Sequence, residues 1–352
     1  MKGDKMRAAL LYAPGDIRVE ETAKPVINDD EFLIRVKKVG LCGSDIRTIK
    51  FGHKRIPAYP QILGHEIAGE VVEIGANVKG RTVGERVYVS PVVPCFSCPA
   101  CRKGWYSQCQ DLVVPGTTIP GGYAEYMKVT KEIIEHGQII PMQDSMSYEQ
   151  AVMTEPLSSV YAAQQNANVK LGDTVVVIGT GPIGCLHIEL AKIRGAVKVI
   201  AIEMSEPRLE MAKQFGADHL INSANEDPVA KVLELTGGWG ADVVISANPA
   251  TQAQIQAVEM AAMRARVVFF GGVPAGKLTS IDTNIVHYKQ LIILGHFGYD
   301  HIQNYEAFKL IESGRLDAMR YVTHQLPLSE IEKGIALTQT GEAIKVVLDP
   351  SA

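Results

Sequence analysis

A strand, a glycine turn and a helix in mid-chain constrain the fold more than any other feature. The apolar, β-branched run "DTVVVIG" leads directly into Gly179-Thr180-Gly181-Pro182-Ile183-Gly184, and "PIGCLHIELAKIRG" follows with helical character. From about 158 to 295 the alternation continues through "KVIAIE", a helical "EPRLEMAKQFG", the short strand "HLINS", and the strands "DVVISANP", "ARVVFFGG" and "LIILGHF", with helical stretches before the first two of these. Strands that are apolar throughout, alternating with helices, are buried on both faces. They predict an α/β fold with a doubly wound parallel sheet. From 6 to about 148 the style differs. Short β-rich runs such as "EFLIRVKKV" and "IAGEVVEIG" are broken by glycine and proline, which predicts an irregular, mainly antiparallel β domain. The tail, from "YDHIQNYEAFKLIESGRL" to the strand "AIKVVLD", has no independent fold signal and is expected to pack back on the first domain.

The turn 179–184 reads G-x-G-x-x-G between a strand and a helix, the context in which that pattern binds a dinucleotide. Its glycines permit a tight turn and let backbone N–H groups approach a pyrophosphate, to which the helix N-terminus adds partial positive charge. Candidate contacts are Gly179, Gly181, Pro182, Ile183 and Gly184, joined by Gly272 and Val273. Glu203, at the end of the next strand, is placed to hold a ribose diol and to repel a 2′-phosphate, so NAD is favoured over NADP. Arg208 stands nearby as a residue able to accept that phosphate. The structural alternative is a plain turn with an exposed glutamate.

Four cysteines, Cys95, Cys98, Cys101 and Cys109, lie in "PCFSCPACRKGWYSQC" with the spacing C-x2-C-x2-C-x7-C. Thiolates this close can converge on one tetrahedral Zn²⁺ with no open position, a structural rather than a catalytic site. Disulfides or an iron–sulfur cluster are the alternatives. The start of the chain, "MKGDKMRAALLYAPGD", has no cleavable signal pattern, and no apolar run approaches a membrane span. A reducing, cytoplasmic setting is therefore expected, and it favours metal over disulfide. The ferredoxin-like cysteine run has a shorter final gap. The net charge of −4 gives no reason to expect nucleic acid or a membrane as partner.

Two cysteines remain, Cys42 and Cys185. Cys185, just beyond the glycine turn, reads as a small core residue. Cys42 lies in "VGLCGSD", His65 and Glu66 in "LGHEIAGEV", and Glu155 in "TEPLSS". Singly, these read as a buried thiol, a core histidine and solvated carboxylates. Together they supply the thiolate, imidazole and carboxylate donors that a catalytic zinc takes from about three protein ligands.

At these residues the chain resembles the zinc-dependent medium-chain dehydrogenase/reductase family over essentially its whole length. "CGSD", "GHE", the cysteine loop, "GGYAEY" and "GTGPIG" occur in that family's order. "EPLS", which supplies Glu155, is most similar to the sorbitol (polyol) and sugar-alcohol-phosphate dehydrogenase branch. The resemblance implies a GroES-like catalytic domain over 1–157 and 296–352, split around a Rossmann NAD-binding domain over 158–295, with the active site in the cleft. It also implies two zincs per chain and a homo-oligomer, a tetramer or dimer. Cys42 and His65 match direct zinc ligands, and Glu66 and Glu155 two carboxylates that either bind zinc or hold a water, with Glu155 expected as the third ligand and Glu66 alternating. Ser44 matches the hydroxyl that contacts substrate oxygen and begins the proton path. The implied reaction is hydride transfer from a small-molecule alcohol to NAD⁺.

Two positions depart from the pattern. Arg47 stands where many members have a relay histidine, and arginine cannot act as a general base. Phe297-Gly298-Tyr299 stands where polyol dehydrogenases have F-R-Y. Arg47 and Tyr299 are therefore the candidate substrate contacts. His53 and Lys54 read as a solvated loop, and His296 as a packing residue. The expected activity is oxidation of a secondary alcohol in a polyol, cyclitol or sugar derivative. The alternatives are a threonine-type 3-hydroxy amino acid dehydrogenase and a zinc-stabilised, NAD(H)-binding redox sensor.

Overall fold

The computed structural model describes residues 4–352. The chain divides into two compact units, one running to Ser158 and resuming over Tyr299–Ala352, the other Ser159–Gly298.

The second unit is the α/β half. Six strands, all parallel, run in the spatial order His219–Asn222, Lys198–Glu203, Thr174–Ile178, Ala241–Ser246, Ala261–Phe269, Ile292–Gly295. The first strand in sequence is thus central, and successive crossovers leave it in opposite directions. The segments at its C-terminal end diverge there, which opens the crevice where such sheets bind ligands. Val175, Val176 and Val177 have no exposure at all, as a strand covered on both faces requires. The helices begin on clear signals: Pro228 is the first residue of Pro228–Leu235, and the Asp227 carboxylate accepts from the Val229 and Ala230 N–H groups.

One polar group is buried deep in this unit. The His187 ring is fully buried, near the Gln164 amide and edge-on to Phe270, whose other neighbour His296 stacks on it at 5.0 Å. Burial pushes His187 down to about 3 and His296 to about 4, so both are neutral at pH 7. The expectation that His296 packs agrees with this stack. Between the ordinary histidine value near 6.5 and the folded value, the unfolded chain binds more protons, so stability rises with pH across that window and is lost on acidification. His187 alone is expected to cost about 2 kcal/mol at pH 5 relative to pH 7. Urea unfolding of His187→Gln should show a visibly shallower loss between those pH values, and an unchanged slope would overturn the assignment.

The first unit is β-rich. Its larger sheet runs Val322–Pro327, Lys345–Asp349, Phe32–Leu41, Glu66–Ile74, Arg86–Val89, Ile139–Pro141, with Tyr126–Val129 also pairing with Phe32–Leu41. A three-stranded sheet is formed by Asp16–Ala23, Lys5–Ala13 and Gln61–Ile62. Phe32, Ile34, Val36, Val39, Ile67 and Val71 fill the core. The tail joins this sheet: Val346, Val347 and Leu348 pair antiparallel with Leu41, Gly40 and Val39. Gly40 therefore lies between Val347 on one side and Glu66 on the other. That register brings the last strand to the strand end from which Cys42 follows.

Candidate functional site

The cysteine loop folds through two short 3-10 turns, Cys101–Lys103 and Tyr106–Gln108, with Gly104 at φ 77° between them. All four sulfurs lie within 4.8 Å of one another. Cys95 Sγ is 4.0 Å from Cys101 Sγ, and Cys98 Sγ is 4.0 Å from Cys109 Sγ. Four sulfurs about 2.3 Å from one tetrahedral metal would stand about 3.8 Å apart, so the loop needs almost no adjustment to close on zinc. Disulfides do not form, and every cysteine is free. The Ser97 hydroxyl and the Cys98 N–H donate to Cys95 Sγ, and these donors bring its thiol down to about 6. Burial pushes Cys101 up to about 12, a cost that a cation at the centre of the four sulfurs removes.

The second cluster is assembled where Phe32–Leu41 ends. Cys42 is the N-cap of the helix Gly43–Phe51, with extended backbone at φ −98°. One buried carboxylate organises the surroundings. Asp45 Oδ2 accepts from the Cys42 N–H at 3.3 Å and from the Tyr123 hydroxyl at 2.8 Å, while Oδ1 meets His65 Nδ1 at 3.1 Å. Gly64, at φ 89°, passes so close to Tyr123 that a Cβ there would lie 2.6 Å from its ring. The result is that Cys42 Sγ, a ring nitrogen of His65 and a carboxylate oxygen of Glu66 all lie within 4.8 Å of one another. Burial opposes charging His65, but the Asp45 carboxylate outweighs it and holds the ring well above its ordinary value. With Nδ1 engaged by Asp45, Nε2 is the nitrogen left for a metal, as a ligating histidine requires.

Glu66 is fully buried, and so nearly is Lys345, whose ammonium donates to Glu66 Oε1 at 2.5 Å and also pairs with Oε2. The pair closes over Gly40, where a Cβ would stand 1.7 Å from Glu66 Oε2 and 3.0 Å from Lys345 Cε. Burial works against the Lys345 charge, but Glu66 more than offsets it, and the ammonium is retained. Glu66 Oε2 accepts no well-directed hydrogen bond, which leaves it acceptor capacity toward a cation. Thiolate, imidazole and carboxylate are the donor set that zinc takes, and these residues fit one.

Glu155 stands in the first turn of the helix Thr154–Asn166, outside that close group. Burial pushes its carboxyl up to about 7, with Glu66 adding to the shift and His65 and Lys345 opposing it. Ser44 and Arg47 lie on the exposed face of Gly43–Phe51. Tyr299 is buried beside Tyr88, and burial raises both phenols well above 10. Cys185 is buried in the helix after the glycine turn, and His53 and Lys54 are exposed.

In the glycine turn, Gly179 has φ 95°. A Cβ on Gly184 would stand 1.9 Å from the Gly179 carbonyl oxygen, whereas one on Gly181 would meet nothing within 4 Å. Gly184 thus lets the helix Pro182–Ile193 pack on its strand, and Gly181 leaves an open cradle at the helix N-terminus. Glu203 accepts from the Thr180 N–H at 3.1 Å and the Met204 N–H at 2.8 Å, which holds its carboxylate beside the turn. The Arg208 carbonyl accepts from the Thr180 hydroxyl at 3.1 Å. Gly272 is exposed and Val273 half-buried after the strand Ala261–Phe269. The open cradle and the adjacent carboxylate fit a dinucleotide.

Sequence reasoning missed Asp45, Tyr123, Gly40 and Lys345. Asp45 carried a signal, since it follows Cys42 by three residues, the spacing of a capping box. Lys345 is the one cation in the strand Lys345–Asp349, followed directly by Val346, Val347 and Leu348. Gly40 and Tyr123 announce nothing.

Comparison with known proteins agrees with both halves. Residues 28–144 match the alcohol dehydrogenase GroES-like domain, and residues 182–313 match the zinc-binding dehydrogenase domain. The chain is 37% identical over 366 residues to the erythritol/L-threitol dehydrogenase of Mycolicibacterium smegmatis, covering 99% of this chain and 98% of that one. It is 35% identical over 351 residues to the L-threonine 3-dehydrogenase of Pyrococcus horikoshii, covering 98% of each. The crystal structure of 2R,3R-butanediol dehydrogenase from Bacillus subtilis superposes with a TM-score of 0.90 at 30% identity, covering 98% of this chain and 99% of that one. With its cysteine loop, its Cys42–His65–Glu66 group and its six-stranded parallel sheet, the chain belongs to the zinc-dependent medium-chain dehydrogenase/reductase family, near its polyol dehydrogenase branch.

Proposed function

We propose that this protein oxidises a secondary alcohol of a polyol, cyclitol or sugar derivative to a ketone, with NAD⁺ as the hydride acceptor. The observation that carries the reading is the convergence of Cys42, His65 and Glu66 beside Ser44, in a chain that also holds the open glycine cradle. The unit containing that group is the catalytic domain, and Ser159–Gly298 the nucleotide domain.

When bound, a zinc ion supplies polarisation of the alcohol oxygen, and the nicotinamide supplies the hydride acceptor. The protein's own groups do the rest. Asp45 fixes the His65 tautomer and ring plane. Cys42 is held at the N-terminus of the helix Gly43–Phe51, its N–H donating to Asp45 Oδ2. Ser44, on the exposed face two residues on, takes the alcohol proton and passes it outward. Arg47 cannot continue that relay, because its guanidinium stays protonated. Glu155, with a proton affinity near neutrality, is the second carboxylate able to meet substrate or water. Glu203 accepts the ribose diol and repels a 2′-phosphate, which supports NAD over NADP. The cysteine loop holds a second zinc with no open position.

The identity to L-threonine 3-dehydrogenase favours a second reading, a 3-hydroxy amino acid as substrate. Arg47, standing where a relay histidine is expected, argues against it, since a guanidinium cannot act as a general base. NADH formation across a panel of polyols, cyclitols and L-threonine tests both. Turnover with a polyol and two zincs per chain are expected, and Cys109→Ser should retain one zinc with a lower melting temperature. No turnover with any secondary alcohol at full zinc occupancy would sink the reading.

A homo-oligomer, dimer or tetramer, is supported by the open outer edge of the strand Ile292–Gly295, where Ile292 is 53% exposed. A cytoplasmic location is supported by six cysteines that are all free. No helix among the described residues is long and apolar enough to cross a membrane.

A further inference from the structure

We propose that the segment 46–65 forms an oxyanion-binding surface beside the Cys42–His65 group, so that the preferred substrate is a sugar-alcohol derivative carrying a phosphate or carboxylate. The inference rests on the dehydrogenase reading and narrows its substrate.

The first observation is composition. The segment contains Arg47, Lys50, Lys54 and Arg55 and no aspartate or glutamate, in a chain whose net charge is −4. The second is the absence of neutralising partners. Several exposed lysines elsewhere sit against carboxylates, as in Lys5–Glu21 at 2.7 Å, Lys231–Glu234 at 2.8 Å and Lys333–Glu330 at 2.7 Å, while others, such as Lys103 over the Trp105 ring, do not. Among the described residues, Arg47, Lys50 and Lys54 have no such partner; Lys50 rests over the Phe51 ring instead.

The third observation is phase. Gly43–Phe51 buries Asp45, Ile46 and Ile49, which turns Ser44, Arg47, Lys50 and Phe51 to solvent. Arg47 follows Ser44 by three residues, so the two neighbour each other on that face, with Cβ atoms roughly 5–6 Å apart. The helix is locked to His65 through Asp45, so this face has a set position relative to the metal ligands. The following loop is also held. The Gly52 N–H donates to the Thr48 carbonyl at 2.8 Å, the Gly15 N–H to the Ile49 carbonyl at 2.7 Å, and the Arg55 guanidinium to the Leu112 carbonyl. Cations on an anchored backbone lose little further freedom when they bind an oxyanion. His53 lies among them; burial, then the charges of Arg55 and Lys54, lower its affinity for a proton, so it faces the ligand as a neutral imidazole. A substrate hydroxyl at Ser44 would thus direct the remote end of the molecule along a row of unpaired cations.

The pyrophosphate of the cofactor is the other oxyanion such a surface could serve, and the test separates the two. The probes are glucitol and ribitol, their terminal phosphates, and gluconate and ribonate, assayed for turnover and for binding by calorimetry. The variants are Arg47→Gln, Lys54→Gln and the two combined, with NADH affinity measured alongside. One charge-assisted contact corresponds to about tenfold or more in affinity, so at least one anionic probe should exceed its neutral parent by that factor in kcat/KM. The preference should weaken between about 0.1 and 1 M salt, as the screening length falls. In the double variant the anionic-to-neutral ratio should collapse by about tenfold, with NADH affinity within about twofold of wild type. Equal kcat/KM for neutral and anionic partners overturns the proposal. So does an NADH affinity that falls in the double variant while the anionic preference survives, since the cations then serve the cofactor. If no polyol is oxidised but an anionic probe still binds through Arg47 and Lys54, the oxyanion surface stands and the dehydrogenase reading fails. If no anionic probe binds or turns over, the surface is refuted.

Discussion

Replacing Lys345 by methionine is expected to lower the unfolding free energy by about 3–5 kcal/mol, the cost of leaving one member of a buried ion pair alone. Glu66 has no exposure and Lys345 has 6%, so water cannot take over the lost interaction. Nor can Glu66 swing away, because Gly40 and the strand Lys345–Asp349 confine it. Removing both charges is a different matter. Glu66→Leu combined with Lys345→Met should regain most of the loss, since a packed apolar pair often does as well as a buried ionic one. Urea unfolding of the metal-free single and double variants measures both. A Lys345→Met variant within about 1 kcal/mol of wild type, or a double variant no better than the single, would refute the pair's role. Zinc content adds an independent readout: with its counter-ion gone, Glu66 is expected to bind the metal more tightly, at the expense of the open position.

Two alanine substitutions in the glycine turn are expected to part company. Gly184→Ala sets a Cβ against the Gly179 carbonyl oxygen, a backbone atom that cannot rotate aside, so the helix Pro182–Ile193 must move off its strand. Both stability and NADH affinity should fall, the affinity by about a hundredfold or more, because the helix N-terminus no longer aims at the phosphates. Gly181→Ala meets nothing in the free protein. Its melting temperature should therefore stay near wild type while NADH affinity falls, the methyl group occupying space the pyrophosphate requires. Fluorescence titration with NADH, together with thermal unfolding, reads out the contrast. If Gly181→Ala binds NADH normally, the cradle has been assigned to the wrong ligand.

The nucleotide half was legible in the sequence because its signals are local. Apolar strands, a glycine turn and an acidic strand end fall within about thirty residues, the length of one β-α-β unit. The cysteine loop was legible for the same reason. The helix Gly43–Phe51 was not, since only Ile46 and Ile49 mark its buried face, too little periodicity to register. Arg47, His53 and Lys54 were visible as single residues, but their common face emerges only once the helix gives them a phase. Lys345 meets Glu66 across 279 positions, and no spacing rule reaches that far. The sequence favoured Glu155 over Glu66 as the third ligand, whereas the fold brings Glu66 into the close group with Cys42 and His65, and the register around Gly40 gives only Glu66 a lysine partner.

The strand Lys345–Asp349 also sets an order of events in the cell. Glu66 leaves the ribosome 279 residues ahead of the lysine that neutralises it. At ordinary elongation rates of about 5–20 residues per second, that delay is roughly 15–55 s. The intervening unit, Ser159–Gly298, is one uninterrupted stretch and can finish folding inside that interval. The nascent first unit meanwhile carries an unpaired carboxylate and an open sheet edge at Val39–Leu41, the kind of surface that chaperones recognise and that mispairs when ribosomes are crowded. Synthesis thus imposes a waiting period on the half that holds the metal ligands.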